Sequence, residues 1–189
     1  MANLGPAYYS PYPTATYEGN ITPPEGKALL LEEIVDEETA MREVAKQMLT
    51  RENATIFPGP QVLYAWNEEA QKKAKLIKEM AEVLGAKMIP MYDYRPKYPK
   101  IDAAVEINPN HPNLTIWHND IKAAIFIGVH CHYANVALKI VRSETDCYTV
   151  GMCALSGHED AMATIRDQHS EDLEKFIAIA KEVKAELGK

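Results

Sequence analysis

The 189-residue chain has little cysteine and no long apolar run. Its 3 cysteines are an odd number, which excludes a fully paired disulfide framework and is typical of proteins from a reducing compartment. No apolar run approaches the roughly 20 residues of a transmembrane helix. The first residues also lack the charged and apolar regions of a secretory signal. We therefore expect a cytoplasmic protein that has no membrane partner.

Basic residues are too few to predict a nucleic-acid partner. Lys and Arg number 20 against 27 Asp and Glu, so the net charge is −7. Non-specific binding to nucleic acid depends on clustered basic side chains, which this composition does not favour. The patterns G-x-G-x-x-G and G-x-x-x-x-G-K-[ST] do not occur in the chain, so neither a standard dinucleotide site nor a P-loop is expected.

Proline and tyrosine are in excess, with 12 and 10 residues against 3 phenylalanines, and they are concentrated at one end. Residues 1–24 contain five of the prolines and four of the tyrosines. Because proline fixes φ and removes a hydrogen-bond donor, we predict an extended arm over residues 1–26 and one domain over residues 27–189. Pro-rich termini are commonly disordered, whereas Tyr is enriched at interfaces. Two alternatives therefore stay open, a disordered tail and an ordered arm that lies on a partner subunit or on its own domain.

From residue 27 onward, apolar runs alternate with helical patterns. Strands are predicted at residues 54–57, 87–91, 103–107, 123–127 and 147–150. Helices are predicted at residues 41–49 with Asp36 as N-cap, at 68–84 between Asn67 and Gly85 as caps, at 133–141, at 158–167 and from Ser170 onward. This alternation favours a parallel sheet covered on both faces, which is the three-layer, Rossmann-like α/β architecture. Trp66 and Trp117 are predicted to pack within the domain rather than to form stacking surfaces.

Three apolar runs end in glycine, at Gly59, Gly128 and Gly151. Ligands of open α/β sheets bind at the carboxyl ends of the strands, where glycine allows a sharp turn and a close approach to the backbone. The three glycines therefore predict a crevice shaped for a nucleotide, either empty or filled. The alternative is that they mark three ordinary turns between strands and helices.

The segment after strand 123–127 contains three consecutive residues that can bind a metal or take part in catalysis: His130, Cys131 and His132. On an extended backbone the two imidazoles would point the same way and Cys131 the opposite way. Two imidazoles make only a partial zinc or copper site, since zinc takes three or four protein ligands. Further ligands could come only from Cys147, Cys153 and His158. Three interpretations stay open: contact with a ligand or a subunit interface, a structural hydrogen-bonding role, and a metal site.

The order of these segments carries a family resemblance. The segments that carry it are residues 54–59, 124–130, 135–138 and 148–151 and the closing amphipathic helix. The chain resembles the epsilon subunit of the archaeal carbon monoxide dehydrogenase/acetyl-CoA synthase complex, also called the carbon monoxide dehydrogenase beta-subunit family. The resemblance is clearest over about residues 120–187 and weaker over 37–92. It does not include the arm or the Tyr/Pro-rich loop at 92–100.

The resemblance implies a fold of the DHS-like NAD/FAD-binding type, similar to the nucleotide-binding domain of flavin- and thiamine-dependent enzymes. It also implies a non-catalytic accessory subunit of an anaerobic redox complex. Such a subunit stabilises a large redox catalytic subunit, holds no iron–sulfur or nickel cluster, and has a flavin or electron-transfer role. No catalytic residue is transferred from the family, only Gly128 and Gly151, with Gly59.

The cluster at residues 130–132 departs from the family pattern and marks a divergent member. Two other functions stay open: a free-standing flavin- or nucleotide-binding oxidoreductase, and a metal-binding protein that uses His130 and His132. A homodimer is a further partner prediction.

Overall fold

Seven strands form one sheet in the computed structural model, which describes residues 23–91, 111–153, 157–166 and 169–189. The strands are β1 Lys27–Leu30, β2 Glu33–Asp36, β3 Thr55–Pro58, β4 Lys87–Met88, β5 Ala123–Ile127, β6 Tyr148–Met152 and β7 Ala163–Ile165. The predicted arm up to residue 22, the loop at 92–100 and the strand at 103–107 lie outside the described residues.

The sheet order is β2-β1-β7-β6-β5-β3-β4. The pairs from β7 across to β4 are parallel, whereas β1 pairs antiparallel with β2 and β7. When the five parallel strands of the described residues are numbered by themselves, their order is 2-1-3-4-5, which is one of the doubly wound orders. The chain reverses its winding between β3 and β5, so the carboxyl ends of these two strands form the topological switch point. The predicted α/β class with a mostly parallel sheet is confirmed.

Helices cover both faces of the sheet. They are α1 Glu37–Thr50, α2 Pro60–Leu63, α3 Glu68–Leu84, α4 Pro112–His118, α5 Cys131–Glu144 and α6 Ser170–Glu186. One apolar core lies between the sheet and helices α1, α3 and α6, and a second lies between the sheet and helices α4 and α5. Strand β5 is apolar throughout because both of its faces are buried: Ile125 belongs to the first core and Phe126 to the second. None of the described helices is long and apolar enough to cross a membrane.

The predicted caps of α3 are confirmed. The Asn67 side-chain oxygen accepts a hydrogen bond of 2.8 Å from the Ala70 N–H, and Gly85 has the left-handed conformation with φ of 65°. Asp36 does precede α1, but its carboxylate makes no cap hydrogen bond and instead lies 2.5 Å from Lys27 Nζ in the β1–β2 hairpin.

The predicted helix at 158–167 is wrong. This segment contains a turn followed by β7, whose three residues are all buried. Strand β7 pairs with β6 on one side and with β1 on the other, so two sets of sheet hydrogen bonds and full burial override the weak local helical pattern. The hairpin of β1 and β2 was also not predicted. Its two turn residues, Leu31 and Glu32, both have positive φ, and they lack the Asn-Gly or Asp-Gly signal that usually marks such a turn.

Candidate functional site

Two loops cross at the switch point, one after β3 and one after β5. The Gly59 N–H donates to the Ile127 carbonyl at 2.8 Å, and the Gln61 N–H donates to the Gly128 carbonyl at 3.0 Å. A Cβ atom on Gly59 would lie 2.4 Å from the Gly128 carbonyl oxygen. Gly128 has φ of +64°, and a Cβ there would lie 2.6 Å from a Val62 methyl group. The two glycines therefore lie side by side, but both face protein atoms, and their direct role is to let the loops cross.

A cavity of about 420 Å³ lies beside this crossing. Its walls come from α2, the first half of α3, the loop from β5 into α5, and the end of β6. The polar side chains that line it include Gln61, Asn67, Glu69, Lys73 and His130. Its volume falls in the range of small-molecule sites, and its position at the switch point is the usual ligand position in open α/β sheets.

Gly151 lies one residue before the end of β6, because this strand continues to Met152. A Cβ on Gly151 would lie 2.5 Å from the His158 ring, so Gly151 leaves room for that imidazole. Met152 and Cys153 are the residues of this strand and its end that line the cavity. The end of this strand therefore reaches the cavity, whereas Gly151 itself packs against His158.

Trp66 stands at the rim of the cavity, and the prediction that both tryptophans pack inside the domain is wrong. Trp66 is 64% exposed and Trp117 is 53% exposed. The Trp66 indole N–H donates to the Pro60 carbonyl at 2.7 Å, and the ring contacts Tyr64 edge-on at 5.6 Å between centroids. Trp66 lies in the short connection between α2 and α3, which is not covered by any other element among the described residues, and its ring lines the cavity without being buried.

Glu69 is a cavity residue that sequence reasoning missed. One carboxylate oxygen accepts the Ser170 backbone N–H at 2.6 Å, and the other accepts the Ser170 hydroxyl at 3.3 Å. Glu69 thereby joins the first turn of α3 to the first turn of α6. In the sequence it resembles an ordinary acidic residue in the first helical turn, and only the contact with a residue about 100 positions later distinguishes it.

His130, Cys131 and His132 form a compact cluster at the start of α5. The two Nδ1 atoms lie 3.3 Å apart, the rings stack with centroids 5.1 Å apart, and Cys131 Sγ lies 3.8 Å from His132 Nδ1. One potential ligand atom from each residue lies within 4.8 Å of the other two. Cys131 would point away from the imidazoles only on an extended backbone, and this condition is not met because α5 begins at Cys131. His130 and Cys131 line the cavity.

The other candidate ligands lie in different surroundings. His158 is buried and its Nδ1 lies 2.5 Å from Asn135 Oδ1, and burial lowers the pKa of this imidazole to about 4. Cys147 is buried, and burial raises the pKa of its thiol to about 12. Both groups are therefore neutral near pH 7, and neither lines the cavity. Cys153 is half-buried and lines the cavity.

Comparison with known proteins identifies the family of the chain. Residues 18–183 match the family described as CO dehydrogenase beta subunit/acetyl-CoA synthase epsilon subunit. The match is wider than the resemblance seen in the sequence, since it begins within the predicted arm and includes the loop at 92–100. A search of the curated proteins found no match. Because the family match spans most of its length, the chain belongs to the CO dehydrogenase beta subunit/acetyl-CoA synthase epsilon subunit family.

Proposed function

We propose that the chain is a non-catalytic accessory subunit of an anaerobic redox complex of the CO dehydrogenase/acetyl-CoA synthase type. The observation that carries this proposal is the family match over residues 18–183. Since that family is described as a subunit of these enzymes, the partners are large catalytic subunits. The role that we assign is to stabilise the catalytic subunit and to assist electron transfer, with the cavity at the switch point close to the contact surface.

Exposed apolar side chains support a docking surface at the cavity rim. Leu63, Tyr64 and Trp66 lie in one short segment after β3 and are all exposed. Trp and Tyr are enriched at interfaces and at the residues that dominate binding energy. The indole is already oriented by its hydrogen bond to Pro60, so less side-chain entropy would be lost when a partner covers it.

Affinity purification from the native organism tests the accessory role. The tagged full chain should co-elute with larger redox subunits in a fixed ratio, measured by mass spectrometry of the intact complex. A chain that elutes alone would contradict the proposal. A homodimer would appear in the same measurement as twice the chain mass.

Two tryptophan variants locate the contact surface. Substituting Trp66→Ala should weaken recovery of the partner subunits by roughly 30-fold in affinity, the effect of losing about 2 kcal/mol at a central interface residue. Trp117→Ala is the matched control, because Trp117 is also exposed but lies on α4. Equal losses from both substitutions, or no loss from either, would exclude the cavity rim as the contact surface.

A second candidate function is favoured by the cavity itself: a free-standing flavin- or nucleotide-binding oxidoreductase. The cavity lies at the switch point, is lined by Trp66, and contains the start of the 14-residue helix α5, whose free N–H groups suit a phosphate. The test is to denature the purified chain and identify released small molecules by flavin fluorescence and mass spectrometry. A stoichiometric nucleotide would favour this function. Absence of any release, together with no rise in melting temperature on adding FAD or ADP, would contradict it.

A further inference from the structure

The cluster at the start of α5 has the geometry of a metal site. His130 Nδ1 and His132 Nδ1 lie 3.3 Å apart, and Cys131 Sγ lies 3.8 Å from His132 Nδ1. We propose that His130, Cys131 and His132 form a three-ligand site for a late first-row transition-metal ion at the edge of the cavity. This inference does not depend on the accessory role proposed above.

Two of the three ligand separations agree with tetrahedral coordination. Zinc–nitrogen bonds of about 2.0–2.1 Å and a zinc–sulfur bond of about 2.3 Å place two nitrogens about 3.4 Å apart, and a nitrogen about 3.6 Å from the sulfur. The observed separations of 3.3 and 3.8 Å are within a few tenths of an ångström of these values, and the ligand atoms of His130 and Cys131 lie within 4.8 Å of each other. The two imidazole rings are inclined by only 20°, so side-chain rotation is needed to direct both Nδ1 lone pairs and the sulfur at one ion.

The contact between the two imidazoles leaves nitrogen lone pairs that an ion could use. Two neutral Nδ1 atoms at 3.3 Å form a hydrogen bond only when one of them carries the proton, and two unprotonated atoms would oppose their lone pairs. A cation between them uses both lone pairs. The thiolate supplies a negative charge, which reduces the cost of placing a cation near the positive end of the α5 dipole.

The ligand types select the class of metal. Imidazole and thiolate favour zinc, copper and nickel over magnesium or calcium, which prefer oxygen ligands. His130 and His132 are exposed and Cys131 is half-buried, so an ion can reach the site from solvent. His130 and Cys131 also line the cavity, so a fourth coordination position there would be open to a small molecule. Three protein ligands and one open position are the arrangement of reactive rather than structural zinc sites.

Cobalt titration of the metal-free, reduced full chain tests the site. Co²⁺ should bind in a one-to-one ratio and produce a thiolate-to-cobalt charge-transfer band in the near ultraviolet, which added Zn²⁺ removes. Cys131→Ser should abolish the band. His130→Ala and His132→Ala should each weaken Co²⁺ binding by at least about tenfold, since even loss of a group that only orients a ligand has an effect of about that size.

Matched controls separate this cluster from the other thiols and imidazoles. Cys147→Ala removes a buried thiol that does not line the cavity, and His118→Ala removes an exposed imidazole on α4; both should bind Co²⁺ as the unmodified chain does. Far-ultraviolet circular dichroism checks that each variant folds. The proposal is overturned if the unmodified chain shows no thiolate band, or if the band persists in Cys131→Ser or disappears in a folded Cys147→Ala variant.

Discussion

Substituting Gly59→Ala is the most direct test of the loop crossing at the switch point. Gly59 has φ of −95°, a conformation open to alanine, so the backbone itself adds no strain. The added methyl group would instead lie 2.4 Å from the Gly128 carbonyl oxygen and 2.6 Å from Val129 Cα. These are backbone atoms, which cannot rotate away as a flexible side chain can. The loops must therefore separate.

The expected loss of stability follows from these contacts. Overpacking in a well-packed region costs about 1–3 kcal/mol, and rigid backbone neighbours place this site at the upper end. Separation of the loops also stretches the hydrogen bonds from Gly59 to Ile127 and from Gln61 to Gly128, each with a net contribution of about 1 kcal/mol. We expect a loss of about 3 kcal/mol or more, a large part of the roughly 5–15 kcal/mol that stabilises a domain.

Urea unfolding of the full chain, followed by circular dichroism, measures this loss. With a slope of about 2 kcal/mol per molar urea, a loss of about 3 kcal/mol lowers the unfolding midpoint by about 1.5 M. The matched control is Gly85→Ala, where φ is +65° and no atom lies within 4 Å of the added Cβ, so only the backbone conformation costs free energy, about 1–2 kcal/mol. If Gly59→Ala lowers stability no more than Gly85→Ala does, the crossing does not depend on a glycine and our reasoning is refuted.

Three further predictions concern the core, a cap and a buried histidine. Leu138 is fully buried, so Leu138→Ala should reduce the free energy of unfolding in urea titrations by about 2–5 kcal/mol. Val136 is 56% exposed on the same helix, and Val136→Ala should change this free energy by less than about 0.5 kcal/mol. Similar losses from the two substitutions would contradict the packing of α5. Asn67→Ala should reduce the free energy of unfolding by about 1 kcal/mol through loss of the α3 cap, which is more than Asp36→Ala, since Asp36 makes no cap hydrogen bond. A larger loss from Asp36→Ala would contradict the assigned cap of α3. The pKa of His158 is lowered to about 4 by burial, so the unfolded chain binds more protons between about pH 6.5 and pH 4, and stability falls as the pH is lowered through that window by up to about 3 kcal/mol. Substitution His158→Gln should remove this part of the pH dependence; an unchanged profile of unfolding free energy against pH would show that the imidazole has the same pKa in the folded and unfolded chain, and would contradict the prediction.

Much of the architecture is predictable because local sequence and tertiary environment agree. Strand β5 is apolar at all five positions and is buried on both faces. Helix α3 begins at the Asn67 cap and ends before the left-handed Gly85, and both signals depend on neighbours within four residues. Strand β7, by contrast, has only three residues, and its conformation is decided by pairing with β6 and β1 from distant parts of the chain.

Some features of the candidate site could likewise be predicted from the sequence, and others were visible only in the structure. Sequence alone indicated an α/β domain, glycines at the ends of apolar runs, and the ligand-type residues of the cluster at 130–132, because residue type and spacing are sufficient for these. Tertiary structure decided that Gly59 and Gly128 serve a loop crossing, that Trp66 stands exposed at the cavity rim, and that α5 begins at Cys131 and so brings a thiol and two imidazoles together. These features depend on distances between segments separated along the chain, or on the residue at which a helix begins. Local periodicity contains neither quantity.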